Sequence, residues 1–248
     1  MKLSLCLNAA TGNLPRPSAM ELAKKLGFTA VEFWEGQDFD ITAYKQGLEG
    51  LTLACMGYAT DFIDPNARTK TLDDFAKSLS NAKELGAKGI IIAAGQTLPD
   101  LSHKAQHESL ITGLKEAAKL VKGTGINILL EPLNTLVDHV GYFLDSSLKA
   151  FDIIRDVGSP NVKVLFDIYH QQVSEGNLIA NITNNIDLIG HFHIAGNPGR
   201  GEPYLGEINY PQVLKAIAEA GYDRYVGLEY WPKGDVVESL EKCLELYS

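Results

Sequence analysis

Along the chain, a short run of apolar, often β-branched residues gives way again and again to a longer stretch with apolar positions three and four apart. The short runs predict strands at Leu3–Asn8, Ala30–Trp34, Leu51–Gly57, Gly89–Ala94, Asn127–Glu131, Val162–Asp167, Gly190–Ile194 and Arg224–Glu229. The longer stretches predict helices at Ser18–Leu26, Ile41–Leu48, Leu72–Leu85, His103–Val121, Ser146–Val157, Leu178–Ile186, Tyr210–Ala220 and Val236–Leu246. The third helix shows the logic. Phe75, Leu79, Ala82 and Leu85 fall on one face, while Lys77, Lys83 and Glu84 take the other. Ile90-Ile91-Ile92 and Ile128-Leu129-Leu130 are apolar without interruption, the pattern of parallel strands covered on both faces.

Gly27, Gly86, Gly158 and Gly221 follow helical runs, where a left-handed residue ends a helix well. Thr71 followed by Asp74 reads as a variant capping box. The strand run Leu51–Gly57 and the helix at Leu72 leave Tyr58–Lys70 as a long loop and a candidate lid. No linker, low-complexity segment or charge block divides the chain. Eight strand–helix units in 248 residues predict an α/β fold, a (β/α)8 TIM barrel filling the chain as one domain. An open doubly wound sheet is the structural rival. It would carry a G-x-G-x-x-G turn after an early strand, and none is present.

The barrel reading gives meaning to the polar residues. Four successive units of the second half place an ionisable residue near a strand end: Leu130-Glu131-Pro132, Phe166-Asp167-Ile168, Phe192-His193-Ile194 and Leu228-Glu229-Tyr230. Carboxylates among Leu, Phe and Ile are costly unless compensated. In a parallel barrel these strand ends converge on one mouth, where active sites of the architecture lie. Three carboxylates repel one another and one imidazole does not neutralise them, so Glu131, Asp167, His193 and Glu229 predict a divalent metal site. Oxygen-rich ligation with one nitrogen suits Mg²⁺ or Mn²⁺ better than structural zinc. His191 shares the face of His193 but lies deeper, which predicts a core histidine bonded to a carboxylate. The loop from Asn197 to Glu207 is polar and carries Arg200 and Glu202, with Arg200 suited to gripping a substrate oxygen or carboxylate. Trp34 and Glu35 end the second strand and are candidates for the opposite wall.

Composition narrows the partners. With 31 acidic and 22 basic residues the formal charge is −9, which opposes binding of a nucleic-acid backbone. No apolar run approaches the ~20 residues of a membrane span, and the apolar start from Met1 reaches Asn8 too soon for a secretory leader. Cys6, Cys55 and Cys243 form neither a disulfide framework nor a zinc knuckle, and core positions in a reducing compartment are expected. The expectation is a soluble, cytoplasmic protein that binds neither nucleic acid nor membranes, with a homo-oligomer left open.

Three stretches carry a family resemblance. The most specific runs from His193-Ile194-Ala195-Gly196 through Pro198-Gly199-Arg200 and Glu202-Pro203 to Gly206-Glu207-Ile208-Asn209-Tyr210-Pro211. Asp167-Ile168-Tyr169-His170-Gln171-Gln172 and Gly227-Leu228-Glu229-Tyr230 match as well. Over essentially its whole length the chain resembles the xylose-isomerase-like barrels, and within them the hydroxypyruvate isomerases. The resemblance implies reversible isomerisation of hydroxypyruvate and tartronate semialdehyde, with Glu131 and Glu229 as acid and base. Asp167 and His193 would chiefly hold the metal, and His170 and Arg200 the oxygens of a keto-acid or sugar substrate. A histidine at position 193 is more typical of related ketose 3-epimerases, so these and the 2-oxo-tetronate isomerases stand as alternatives. More distant rivals are a metal-dependent abasic-site endonuclease and a non-catalytic sugar-acid binder. The endonuclease would need a richer ligand cluster, and no candidate for one is legible in the first half.

Overall fold

Successive strand residues point to opposite faces, and this parity sorts the interior into two compartments. Ile90, Ile92, Ile128, Leu130, Val164 and Phe166 pack outward with the helices in one large apolar core. Ile91, Leu129 and Leu165, of the other parity, form a separate cluster with Cys55. Burial of one such side chain contributes roughly 1.5–3 kcal/mol. The computed structural model describes residues 1–247. In it β1 (Lys2–Cys6), β2 (Ala30–Phe33), β3 (Thr52–Ala59), β4 (Gly89–Ala93), β5 (Asn127–Glu131), β6 (Val162–Asp167), β7 (Ile189–Ile194) and β8 (Tyr225–Leu228) follow one another around a closed barrel. Every neighbouring pair is parallel, and β1 against β8 completes the ring.

Helices α1 (Arg16–Leu26), α2 (Ile41–Gly47), α3 (Arg68–Leu85), α4 (His103–Val121) and α5 (Ser147–Val157) follow the first five strands. Two short helices, α6 (Ile168–Ser174) and α7 (Leu178–Thr183), follow β6, and α8 (Tyr210–Glu219) and α9 (Val236–Tyr247) complete the outer ring. Gly27, Gly86 and Gly158 stand at helix C-termini with φ of 90°, 72° and 67°, as the sequence predicts. Among the described residues no helix is long and apolar enough to cross a membrane.

Three expectations about elements need correction. Helix α3 begins at Arg68 rather than Leu72, so Thr71 lies inside it and the expected capping box is not formed. Strand β3 runs to Ala59, and the stretch expected as a long lid loop shrinks to residues 60–67. The helix expected at Leu178–Ile186 ends at Thr183, and α6 before it had no counterpart. Its first turn starts directly at the end of β6, where Asp167 caps it.

Candidate active site

Register places the chemistry. Asp167 pairs with His193 across β6 and β7, and His193 pairs with Gly227 across β7 and β8. Glu131 closes β5 beside Ala93. Two positions past the apolar Leu129 and Leu165 on the same parity, Glu131 and Asp167 therefore point into the barrel mouth, as do His193 and Glu229. All four are at least 95% buried. One ligand atom from each lies within 4.8 Å of the others.

Hydrogen bonds from outside the cluster hold these strand ends. The Tyr142 hydroxyl donates to the Glu131 carbonyl at 2.9 Å and accepts from the Ala94 N–H at 2.6 Å, tying β4 to β5. The Tyr210 hydroxyl bridges the Ala195 carbonyl and N–H just past β7, at 2.7 and 3.0 Å. Asp167 Oδ1 accepts from the N–H groups of Tyr169 and His170, leaving Oδ2 toward the cluster. Glu229 receives the Trp34 indole N–H on Oε1 at 2.9 Å and the Arg200 guanidinium on Oε2 at 2.5 Å. The same guanidinium reaches Asp167 Oδ2 at 3.3 Å and lies 4.8 Å from the ring centroid of Trp231. Arg200 adopts a left-handed backbone (φ 51°), a conformation that costs a non-glycine residue roughly 1–2 kcal/mol. The loop around it is folded tightly: a side chain at Gly206 (φ 93°) would strike the Asn197 carbonyl.

A cavity of about 250 Å³ opens above the cluster, lined by Trp34, Glu131, Leu133, His139, Arg200 and Glu229. It is walled by aromatic and apolar groups on two sides, with one cation and two carboxylates facing inward. A second cavity of about 230 Å³ lies at the opposite end of the barrel, where Lys2, Lys88 and Arg224 line it with exposed side chains.

Burial raises the Glu131 carboxyl above its ordinary range, and Glu229 and Asp167 push the same way while His193 opposes them. Burial acts on Glu229 as well, but His193 and Arg200 outweigh it and hold that carboxyl low. Burial would lower His193, yet Glu229 and Glu32 raise it well above an ordinary imidazole. Asp167 is raised by burial and by Glu229, against Arg200 and His193. Among the described residues, Glu131 Oε1, Glu32 Oε1 and both ring nitrogens of His193 are buried without a completed hydrogen bond. Three carboxylates and one imidazole nitrogen, converging with unpartnered donor atoms, fit a hard divalent cation.

Of the four substrate candidates, Trp34 and Arg200 line this cavity, and His170 and Glu202 are not among its lining residues. His170 is fully buried, its Nδ1 taken by the Asn134 side-chain amide at 2.7 Å and its Nε2 3.6 Å from Asp167 Oδ2. Glu202 Oε1 accepts the Lys233 N–H at 2.8 Å, tying its loop to the segment between β8 and α9. Glu35 pairs with Arg16 and Asn8 rather than forming a wall. The three cysteines are buried and unpaired, as expected. His191 bonds a carboxylate, also as expected; the acceptor is Glu32 of β2, at 2.9 Å. Glu32 and the cavity-lining His139 escaped the sequence reading. A glutamate in the centre of an apolar four-residue strand is the signal that could have found Glu32. The first half therefore does contribute: Glu32 and Cys55 form a second buried group with His191 and His193.

The sequence model of the family described as "Xylose isomerase-like TIM barrel" matches residues 20–246. The chain belongs to that family. Hydroxypyruvate isomerase of Escherichia coli (strain K12) is 34% identical over 244 residues, covering 94% of each chain. A 2-oxo-tetronate isomerase of Cupriavidus necator is 36% identical over 157 residues, 63% of this chain and 60% of that one. A solved structure described as AP endonuclease, family 2, from Brucella melitensis superposes with a TM-score of 0.93 at 29% identity, covering 98% of both chains. With relatives of this kind over nearly its whole length, this member of the family is an isomerase.

Proposed function

We propose that this isomerase interconverts hydroxypyruvate and tartronate semialdehyde, using a divalent cation held by Glu131, Asp167, His193 and Glu229, with Mg²⁺ or Mn²⁺ preferred. The observation that carries the reading is the convergence of those four buried ligand atoms within 4.8 Å beneath a small cavity. A volume of about 250 Å³ is below the usual range of sites for drug-sized ligands, roughly 300–1,000 Å³. It suits a three- or four-carbon acid better than a hexose. A bound cation supplies charge stabilisation to adjacent carbonyl and hydroxyl oxygens and favours loss of the intervening C–H proton.

The protein's own groups do the rest. Arg200 is the cation lining the cavity and faces the substrate carboxylate. Glu131 and Glu229 both line the cavity, so one takes a proton from the terminal carbinol carbon, and the neighbouring former carbonyl carbon receives one either from that same glutamate or from the other when it starts protonated. The hydroxyl proton passes to the new alcohol oxygen, and atoms balance without any oxidant. Trp34 holds Glu229 in place and closes the wall beside it. The 2-oxo-tetronate relative, at 36% identity, favours a second reading with a substrate one carbon longer. An abasic-site nuclease is disfavoured by the net charge of −9.

The test loads the protein with Mn²⁺ or Mg²⁺, supplies hydroxypyruvate, 2-oxo-tetronates and free ketoses in D₂O, and identifies products and deuterium incorporation by NMR. Turnover of hydroxypyruvate with deuterium entering at carbon is expected, and chelation should abolish it. Glu131→Gln and Glu229→Gln should each lower kcat by roughly 10²–10⁴-fold. Near-native turnover by both variants, with metal still bound, would exclude the proposed proton transfer.

A further inference from the structure

Beneath the four converging ligands lies a second layer of polar groups. Glu32 is 1% exposed, in the centre of β2, and its two oxygens are unequally loaded. Oε2 accepts the Ser4 hydroxyl at 2.6 Å, faces His191 Nε2 at 2.9 Å, and has the Cys55 thiol at 3.7 Å. Oε1 lies 2.9 Å from His193 Nε2 in ion-pair contact, and among the described residues neither atom completes a hydrogen bond. On its other side, His193 presents Nδ1 to Glu131 Oε1 at 3.5 Å and to Glu229 Oε2 at 3.3 Å. Gly227 makes the approach feasible, because a Cβ there would collide with Glu32 Oε1 and with His193 Cδ2.

We propose that Glu32 is a positioning residue that fixes which nitrogen of His193 ligates the cation. A carboxylate oxygen only accepts, so a ring nitrogen 2.9 Å from it carries a proton; without one, two lone pairs would face each other. With a cation bound at the mouth, His193 would keep its proton on Nε2, toward Glu32, and give up the one on Nδ1 to ligate. A carboxylate behind a metal-binding histidine fixes both ring orientation and tautomer, and its loss typically weakens metal binding about 10–100-fold. The proposal rests on reading Glu131, Asp167, His193 and Glu229 as a metal site.

The load on Glu32 also dictates what its amide analogue would do. In Glu32→Gln the carbonyl is drawn to the Oε2 position, where Ser4 and His191 both donate. The NH₂ then faces His193 Nε2 and demands a lone pair there, which moves the ring proton to Nδ1 and blocks ligation.

The test titrates Mn²⁺ alone into wild type and Glu32→Gln by calorimetry, with circular dichroism and urea melts to establish that both are folded. The expected result is one site per wild-type chain and a Kd about 10–100-fold weaker in Glu32→Gln. An affinity within twofold of wild type would overturn the role of Glu32 while leaving the metal site intact. Two ions per wild-type chain would overturn it as well, because Glu32, Cys55, His191 and His193 would then hold an ion of their own. No binding to wild type would overturn the metal site and this role together. Should Glu32→Gln fail to fold, ¹⁵N-histidine NMR on Zn²⁺-loaded wild type decides: a proton on His193 Nε2 supports the role, and one on Nδ1 refutes it.

Discussion

A missing methyl group decides as much here as any charged side chain. Gly227 sits in β8 directly opposite His193 in the register, and the space its side chain would fill holds Glu32 Oε1 and His193 Cδ2. Gly227→Ala must displace both, and both are buried. Overpacking of this kind costs about 1–3 kcal/mol, so the variant should unfold at lower urea and bind Mn²⁺ more weakly. Unchanged urea and Mn²⁺ midpoints would show that the two side chains have room to give. The four mouth residues were legible one by one, because each breaks an apolar strand at the same end. Glu32 was marked only by standing within an apolar strand, and nothing in the sequence joins it to its partner His191, 159 positions away. His139 was missed for another reason: it stands in a loop with no periodicity to mark it.

At the scale of elements, Asp167 belongs to two structures at once. Its Oδ1 caps α6 through the N–H groups of Tyr169 and His170, while Oδ2 faces Arg200. The two duties separate by substitution. Asp167→Asn keeps a capping oxygen but turns an NH₂ toward the cluster, whereas Asp167→Ala loses both. Each should abolish Mn²⁺ binding in calorimetry. A lost cap costs about 1 kcal/mol, which in a chain of this size moves Tm by roughly 2–4 °C. Asp167→Asn should melt higher than Asp167→Ala by that amount, and equal melting temperatures would show that the cap contributes nothing. The same double duty hid α6 from sequence patterning. The helix follows β6 with no turn residues between, and its buried side chains include His170 and Gln171, which break the apolar periodicity. Helix α3 was read four residues short because Arg68, Thr69 and Lys70 carry no apolar face.

For the whole molecule, eight repeats with continuous apolar strands were enough to read a closed barrel, and the ring is closed as read. What repeats do not reveal is that the ring's interior is divided. Strands β3 to β6 fill one side with Cys55, Ile91, Leu129 and Leu165. The strands flanking the closure, β7, β8, β1 and β2, supply His191, His193, Gly227, Ser4 and Glu32 to the other. That division orders the folding of the chain. The apolar side is made by consecutive strands, each reached from the one before through a single crossover helix. The polar side needs Trp34 to meet Glu229 across 195 positions and Glu32 to meet His191 across 159, and contacts of such span form only after chain entropy has been lost. In pulsed hydrogen exchange during refolding, amides of β4 to β6 should gain protection before those of β1 and β8. The reverse order would show that the seam forms first. Glu229, just past β8, completes a constellation begun by Glu131 on β5, so a nascent chain has no reactive centre until its last strand has joined the ring.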